Sequence, residues 1–474
     1  MKATYLLAAL IAVSPLVAES WPQYRGPGGT GISGTTGLPA EVGEGKNLVW
    51  KTALPPGHSS PVLTEGLIYL TAHEDERLYV YCLQRADGEI QWRREVPRQR
   101  KEDFNKTHGP ASPSPVTDGE NVYAFFGDYG LVSFDSAGNE RWSKPMGPFQ
   151  NINGHGSSPI ISGEMLIVLV DQNADSYLLA LDKDSGKQLW KTDRSETTRG
   201  YGTPGIFYPS NGDPQIVVPG AYRIISYDLA TGRKLWWVNG MAWQLKCVPL
   251  FRGDVIFINA WEVGGDPGEQ KETLSFAAVV AEHDADGDGK LSKTEVPDER
   301  LAGDRAWLEH DLDGDNLINK RDWDFYAARR APINPLVAIK PDRREGDITD
   351  TGVLWRYTRS LPNTPSPLLL DDIIYMVKDG GIFQSIDTAA GEAHKLARLG
   401  PQSLEKYWAS PVYADGKIYT VNQLCTVTTV EPGKDWAVIA ASALDDDQCF
   451  ATPAIADGRI YLRSGQSLYA FGAK

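Results

Sequence analysis

The chain has 474 residues, with 47 Lys+Arg against 62 Asp+Glu for a net charge of −15, 41% apolar residues and 4 Cys. An acidic balance of this size excludes broad nucleic-acid binding, which needs a basic face to meet phosphates; the apolar content and low cysteine count exclude a disordered chain and a disulfide-stapled mini-fold. With 14 Trp, 20 Tyr, 47 Gly and 31 Pro against 5 Met, the composition favours strands joined by tight turns over helical bundles.

Met1 and Lys2 precede an apolar run from Tyr5 to Val13, and the small residues Ala18 and Ser20 stand just before Trp21. This order describes a cleavable secretory signal over residues 1–20. The run is shorter than the roughly 20 residues of a spanning helix, so the expectation is a periplasmic or secreted protein without a transmembrane segment. Cys82, Cys247, Cys425 and Cys449 have spacings that suit neither a zinc site nor CxxC chemistry. Cys425 with Cys449 is the expected disulfide.

A small residue followed by proline then recurs along the chain. The prolines are Pro61, Pro115, Pro159, Pro204, Pro249, Pro367, Pro411 and Pro453, spaced by 54, 44, 45, 45, 118, 44 and 42 residues. Each mark leads into an apolar strand, a turn such as Asp-Gly, a second strand, a third, a Gly turn, and a fourth strand that often carries Trp, as at Trp92, Trp142, Trp190 and Trp236. Four antiparallel strands in about 44 residues is one propeller blade. The last blade stops after three strands, and the segment around Trp50 fits its empty fourth place, closing the ring and removing the exposed edges. The Trp side chains are expected to pack between blades; blade six departs, with Lys395 at the Trp position. The predicted fold is all-β: an eight-bladed β-propeller closed by an N-terminal strand, with a small α-helical insertion.

The long gap holds that insertion. Residues 260–350 contain 22 acidic and 12 basic residues, so the expected organisation is blades one to five over 21–259, an acidic module over 260–350, and blades five to eight over 351–474. The module carries Asp284-Ala-Asp286-Gly-Asp288-Gly289-Lys290-Leu-Ser292-Lys-Thr-Glu295. These twelve residues fit an EF-hand loop: side-chain oxygens from Asp284, Asp286 and Asp288, the Lys290 carbonyl, Ser292 at the ninth position and a bidentate Glu295, with Gly289 at the sharp turn. A second loop offers Asp311, Asp313, Asp315, the Leu317 carbonyl and Asp322. Asn316 replaces glycine there, which is tolerable because Asn visits left-handed conformations, and Asp322 is one methylene shorter than Glu, so a weaker site is expected. Two Ca2+ ions are predicted, within 273–330. Helices are expected over 274–283, 294–301 and 305–311, and the short connection favours constitutive occupancy over calcium-triggered opening.

Residues just before the proline marks converge at one mouth of the central channel. His58, His108 and His155 stand there in three consecutive blades, and Tyr201, Gln244, Asn363, Trp408 and Phe450 continue the circle. Imidazoles, amides and aromatic rings around one opening form a candidate ligand site.

The marks, together with the "DGxIY" and "ALDxxSGKxLW" segments, resemble the pyrroloquinoline-quinone-like (PQQ-like) propeller family, which includes quinoprotein alcohol dehydrogenases and the outer-membrane assembly lipoprotein BamB. The chain is also similar to secreted bacterial proteins that join this propeller to "WPQYRGP", here residues 21–27, and an EF-hand insertion. The dehydrogenase resemblance implies adjacent cysteines over the quinone, a catalytic Asp and a calcium ion at the mouth. No two cysteines are adjacent in this sequence, and its calcium-ligand pattern lies in the insertion. A BamB-like role implies a scaffold whose loops contact a partner, although the cysteine that lipidation requires is missing from the signal. The preferred reading is a non-catalytic exported scaffold, binding a protein or glycan with its propeller face and calcium with its insertion. The alternative is a PQQ-dependent oxidoreductase acting on alcohols or sugars.

Overall fold

The computed structural model describes residues 19–102, 104 and 107–473; the signal segment lies almost wholly outside them. Eight antiparallel sheets form the eight blades, seven of four strands and one of five. The closing strand is the predicted one. Leu48–Ala53 pairs with Ser467–Gly472, with Trp50 opposite Ala470, so the start of the described chain completes the last blade.

The proline marks have a physical role that their spacing does not state. At seven of the eight marks the small residue's N–H donates to the hydroxyl of the next blade's mark: Ser60 to Ser114, Ser114 to Ser158 and Ser158 to Thr203, at 2.9, 3.0 and 3.1 Å. The girdle resumes from Val248 to Ser366, Ser410, Thr452 and back to Ser60, at 2.9–3.0 Å. It breaks once, because Val248 has no hydroxyl to offer Thr203.

The tryptophans pack between blades, as expected. Trp50, Trp92, Trp142 and Trp355 each donate Nε1 to a carbonyl in the next blade, at Arg85, Ser136, Lys183 and Thr388. The receiving turn ends in glycine for a steric reason: at Gly88 (φ 77°) an added Cβ would sit 2.5 Å from the Trp50 ring. Strand register puts Lys395 and Ala440 at the Trp position in blades six and seven. Blade six borrows an indole, since Lys395 Nζ lies 4.3 Å from the Trp436 ring centre and donates to the Trp436 carbonyl at 2.6 Å. Blade seven has no turn to pack on, because blade eight is split at that place by the two ends of the chain. Leu38 and Val42 fill the gap instead, and Thr429, opposite Ala440, donates to the Ala40 carbonyl.

Blade five differs from expectation. Its third strand is Leu336–Ile339, inside the range assigned to the insertion, and pairs with Val255–Asn259 and Val353–Tyr357. The excursion therefore leaves after the second strand and returns by residue 336. A second excursion adds Gly346–Asp347 to the outer strand of blade four in parallel. Apolar Leu336–Ile339 is fully buried, and its short run among charged neighbours hides the strand from a repeat-based reading.

The inserted module holds α1 (Phe276–His283), α2 (Asp304–His310) and α3 (Lys320–Arg330) around a small core of Val279, Leu291, Trp307, Ile318 and Trp323. The helix expected over 294–301 does not form; the segment is turns and bends, as Pro297 within it disfavours a helical turn. Cys425 and Cys449 form the expected disulfide, with Cα atoms 5.1 Å apart. No helix among the described residues is long and apolar enough to cross a membrane.

Candidate functional site

A cavity of about 330 Å3 opens at the channel mouth. His58, His108, Tyr201, Gln244, Asn363, Trp408 and Phe450 line it as the sequence predicts. His155 does not. Its ring is buried between Phe149 and Phe125, 4.6 and 5.7 Å away, because apolar neighbours in the adjoining blade cover it. Lys246, Asn153, Ser112 and Tyr24 are additional lining residues. The first lies two residues before the Val248 mark, a signal the sequence offered; Tyr24 could not be placed without the tertiary structure.

Tyr24 reaches the cavity because the "WPQYRGPGG" segment crosses the channel. Trp21 pairs with Leu63 in blade one, the Pro22 carbonyl accepts from Thr117 in blade two, and Tyr24 Oη lies 3.2 Å from Ser410 Oγ in blade seven. Arg25, fully buried, donates to the Pro367 carbonyl of blade six at 2.7 Å. The segment gives the channel a floor, so the cavity is a cup.

The cup has two unlike halves. Blades seven, eight and one supply rings in sequence: Trp408 and Phe450 have centroids 5.6 Å apart, Phe450 and His58 4.4 Å. Blades three to six supply Asn153, which donates to Tyr201 Oη at 2.9 Å, then Gln244, and Lys246, which donates to Asn363 Oδ1 at 2.7 Å. Burial pushes the pKa of His58 down to about 3, helped by His108, and that of His108 down to about 4. Both rings are neutral near pH 7. Burial also lowers Lys246, which has no carboxylate within salt-bridge distance among the described residues. Ser112 Oγ lies 2.5 Å from His108 Nδ1, but the hydroxyl donates to the Gly109 carbonyl, a local loop bond. Among the described residues no carboxylate lines the cup.

The acidic loops lie apart from the cup. Carboxylate oxygens of Asp284, Asp286 and Glu295 fall within 4.8 Å of one another, and so do those of Asp311, Asp313 and Asp322. The loops pair through Leu291 and Ile318, whose N–H and C=O groups exchange bonds at 3.0 and 2.8 Å. Gly289 and Asn316 take φ 79° and 65° at the sixth position. Asp288 caps the Lys290 N–H, and Asp315 accepts from Lys290 Nζ at 2.5 Å. Hydrogen bonds from Ser292 and Ala285 hold Glu295 down at about 2, whereas burial pushes Asp322 up to about 6. The convergent all-oxygen donor set fits a hard divalent cation. Asp311 is fixed to the ring through its neighbours: Glu309 O accepts from Arg199, and His310 stacks on Trp243, which also carries Arg329 at 4.1 Å. Arg321 adds bonds to the Asn173 and Thr197 carbonyls at 2.9 and 3.0 Å.

Comparison with solved structures agrees with the architecture. BamB from Moraxella catarrhalis superposes with a TM-score of 0.54 at 13% identity, covering 90% of this chain and 97% of that one. A europium-containing methanol dehydrogenase gives 0.61 at 10% identity, over 96% and 98%. The quinohemoprotein alcohol dehydrogenase ADHIIG from Pseudomonas putida HK5 gives 0.56 at 12%, over 96% and 81%. At such identities the likeness shows the fold alone. No curated protein sequence matches significantly. A family model described as outer membrane protein assembly factor BamB matches residues 33–173 and 174–278, just over half of the chain, and the chain belongs to this BamB-type, PQQ-like propeller family.

Proposed function

We propose that the protein is an exported, calcium-binding propeller that acts as a non-catalytic binding module, with the cup as its glycan-binding site. The observation that carries this reading is the chemistry of the cup: adjoining aromatic rings on one side, amides and a phenol on the other, and no lining carboxylate among the described residues. An aromatic platform facing hydrogen-bonding groups suits a sugar ring, whose C–H face and hydroxyls ask for the two surfaces separately. The paired loops supply two Ca2+ sites with the second weaker, and their attachment to Arg199 and Trp243 makes the module a fixed part of the face.

PQQ does not fit these residues. Among the described residues the cup has no carboxylate to hold a calcium ion beside a quinone or take a substrate proton, and Cys82 and Cys247 are separate buried thiols. Localisation in the periplasm or outside the cell rests on the signal-like N-terminus. A glycan-array screen with wild-type protein and Trp408→Ala tests the binding reading; the expected result is a bound glycan class whose affinity drops at least tenfold in the variant. Dye reduction by the protein after addition of PQQ and calcium would overturn it. In calorimetry, Ca2+ is expected to give heat that an Asp284→Ala, Glu295→Ala double variant loses from one site.

A further inference from the structure

We propose that the cup selects an acidic sugar, a uronic acid whose carboxylate meets Lys246 while its ring lies toward Trp408 and Phe450. This rests on the glycan reading and adds the charge of the ligand. The geometry is an eightfold ring, in which blade five, carrying Lys246, stands opposite blade one, and the Trp408–Phe450–His58 platform runs from blade seven through blade eight to blade one. A ligand spanning the cup therefore meets rings on one side and a cation on the other.

Lys246 is the one cation among the described lining residues. The ammonium uses one donor on Asn363 Oδ1, leaving two for a ligand. Glu262, the carboxylate that acts on it from outside the cup, is 4.0 Å from Arg329. In the same wall, next to Asn363, Thr364 Oγ1 is buried without a partner, a free hydroxyl for a second oxygen. Beneath the floor, Arg25 is fully buried, and its Nε and Nη1 are also unpartnered. The histidines add no charge near neutral pH. In a chain of net charge −15, a cup with one ammonium and no carboxylate among its described lining residues concentrates anions against the overall field. A charge-assisted bond in a half-buried site is stronger than a neutral one, so acid and neutral sugars are separated by more than their shared ring contacts.

The test is calorimetry with glucuronate, galacturonate, glucose, galactose and benzoate on the full chain. A uronate is expected to bind at least tenfold more tightly than its neutral sugar, and Lys246→Met to erase that ratio. Asn363→Asp, which places a carboxylate beside the ammonium, is expected to erase it too and covers the case in which Lys246→Met does not fold. Equal affinity for acid and neutral sugar in the wild type, or an unchanged ratio in both variants, overturns the acidic class and leaves the glycan reading standing. Benzoate binding more tightly than either uronate overturns the sugar. No binding by any of the five overturns both.

Discussion

The ring and the inserted module are held by different physics. Blades are joined by neutral bonds repeated around the circle: N–H to hydroxyl at seven of the eight marks and indole to carbonyl at four of the outer strands. The module is held to the ring by Arg199, Arg321 and Arg329, which reach carbonyls, carboxylates and the Trp243 face. Repetition makes the ring tolerant of losing one contact, as the Val248 gap shows. The module has a single set of contacts, so its docking is governed by a few arginines and by the Tyr222–Phe325 and Trp243–His310 ring pairs.

Beneath the loop on which the module docks lies a buried ion pair of blade three. Asp171 and Arg194 are both fully buried and make a bidentate contact at 2.7 and 2.8 Å, and Thr197 of the same loop gives its carbonyl to Arg321. Asp171→Ala should be the most damaging single change, about 3–5 kcal/mol, because it strands a buried cation. Chemical denaturation should report that loss, and proteolysis should show the module released as well. Trp50→Ala should cost a similar ~3–5 kcal/mol by opening a cavity at the closure while leaving calcium binding unchanged; calcium loss in that variant would show that ring and module are one cooperative unit.

Acid should act next, and on the ring. His155 is 5% exposed and burial holds it down at about 3, while the unfolded chain protonates near 6.5. The unfolded state therefore binds the extra proton below 6.5, so this contribution is complete above that pH and is lost as pH falls toward 3. At pH 4.5 the loss is about 2–3 kcal/mol for His155 alone, and His58 and His108 add to it. Denaturation midpoints from pH 7 to 4.5 check the slope, which His155→Phe should flatten.

Calcium should act on the module. Saturating Ca2+ at about 100 times the dissociation constant adds roughly 2.7 kcal/mol per site, which should appear as hydrogen-exchange protection of Leu291 and Ile318 with little change in the blades. The smallest effect should be a gain. Val248→Thr completes the girdle while keeping a γ-methyl near Gly29, and one added bond is worth about 0.5–1.5 kcal/mol; a thermal melt that falls instead would mean the hydroxyl cannot reach Thr203.

Much of the fold was legible because a repeat displays its own period. The proline marks, the Trp50 strand and the two acidic loops are local patterns, and each stands where its spacing placed it. Lys246 was readable two residues from a mark yet lacked a repeat partner, and His155 fitted the pattern while its ring packed elsewhere. The sequence by itself determined blade number, closure, the place of the two acidic loops and most of the cup's rim, since these depend on spacing within one blade or one turn. Only the tertiary structure decided that Tyr24 and Arg25 floor the channel, that Leu336–Ile339 belongs to blade five and that the module rests on Trp243. Those contacts join residues tens to hundreds of positions apart, and their energy comes from surfaces that meet only after the ring has closed.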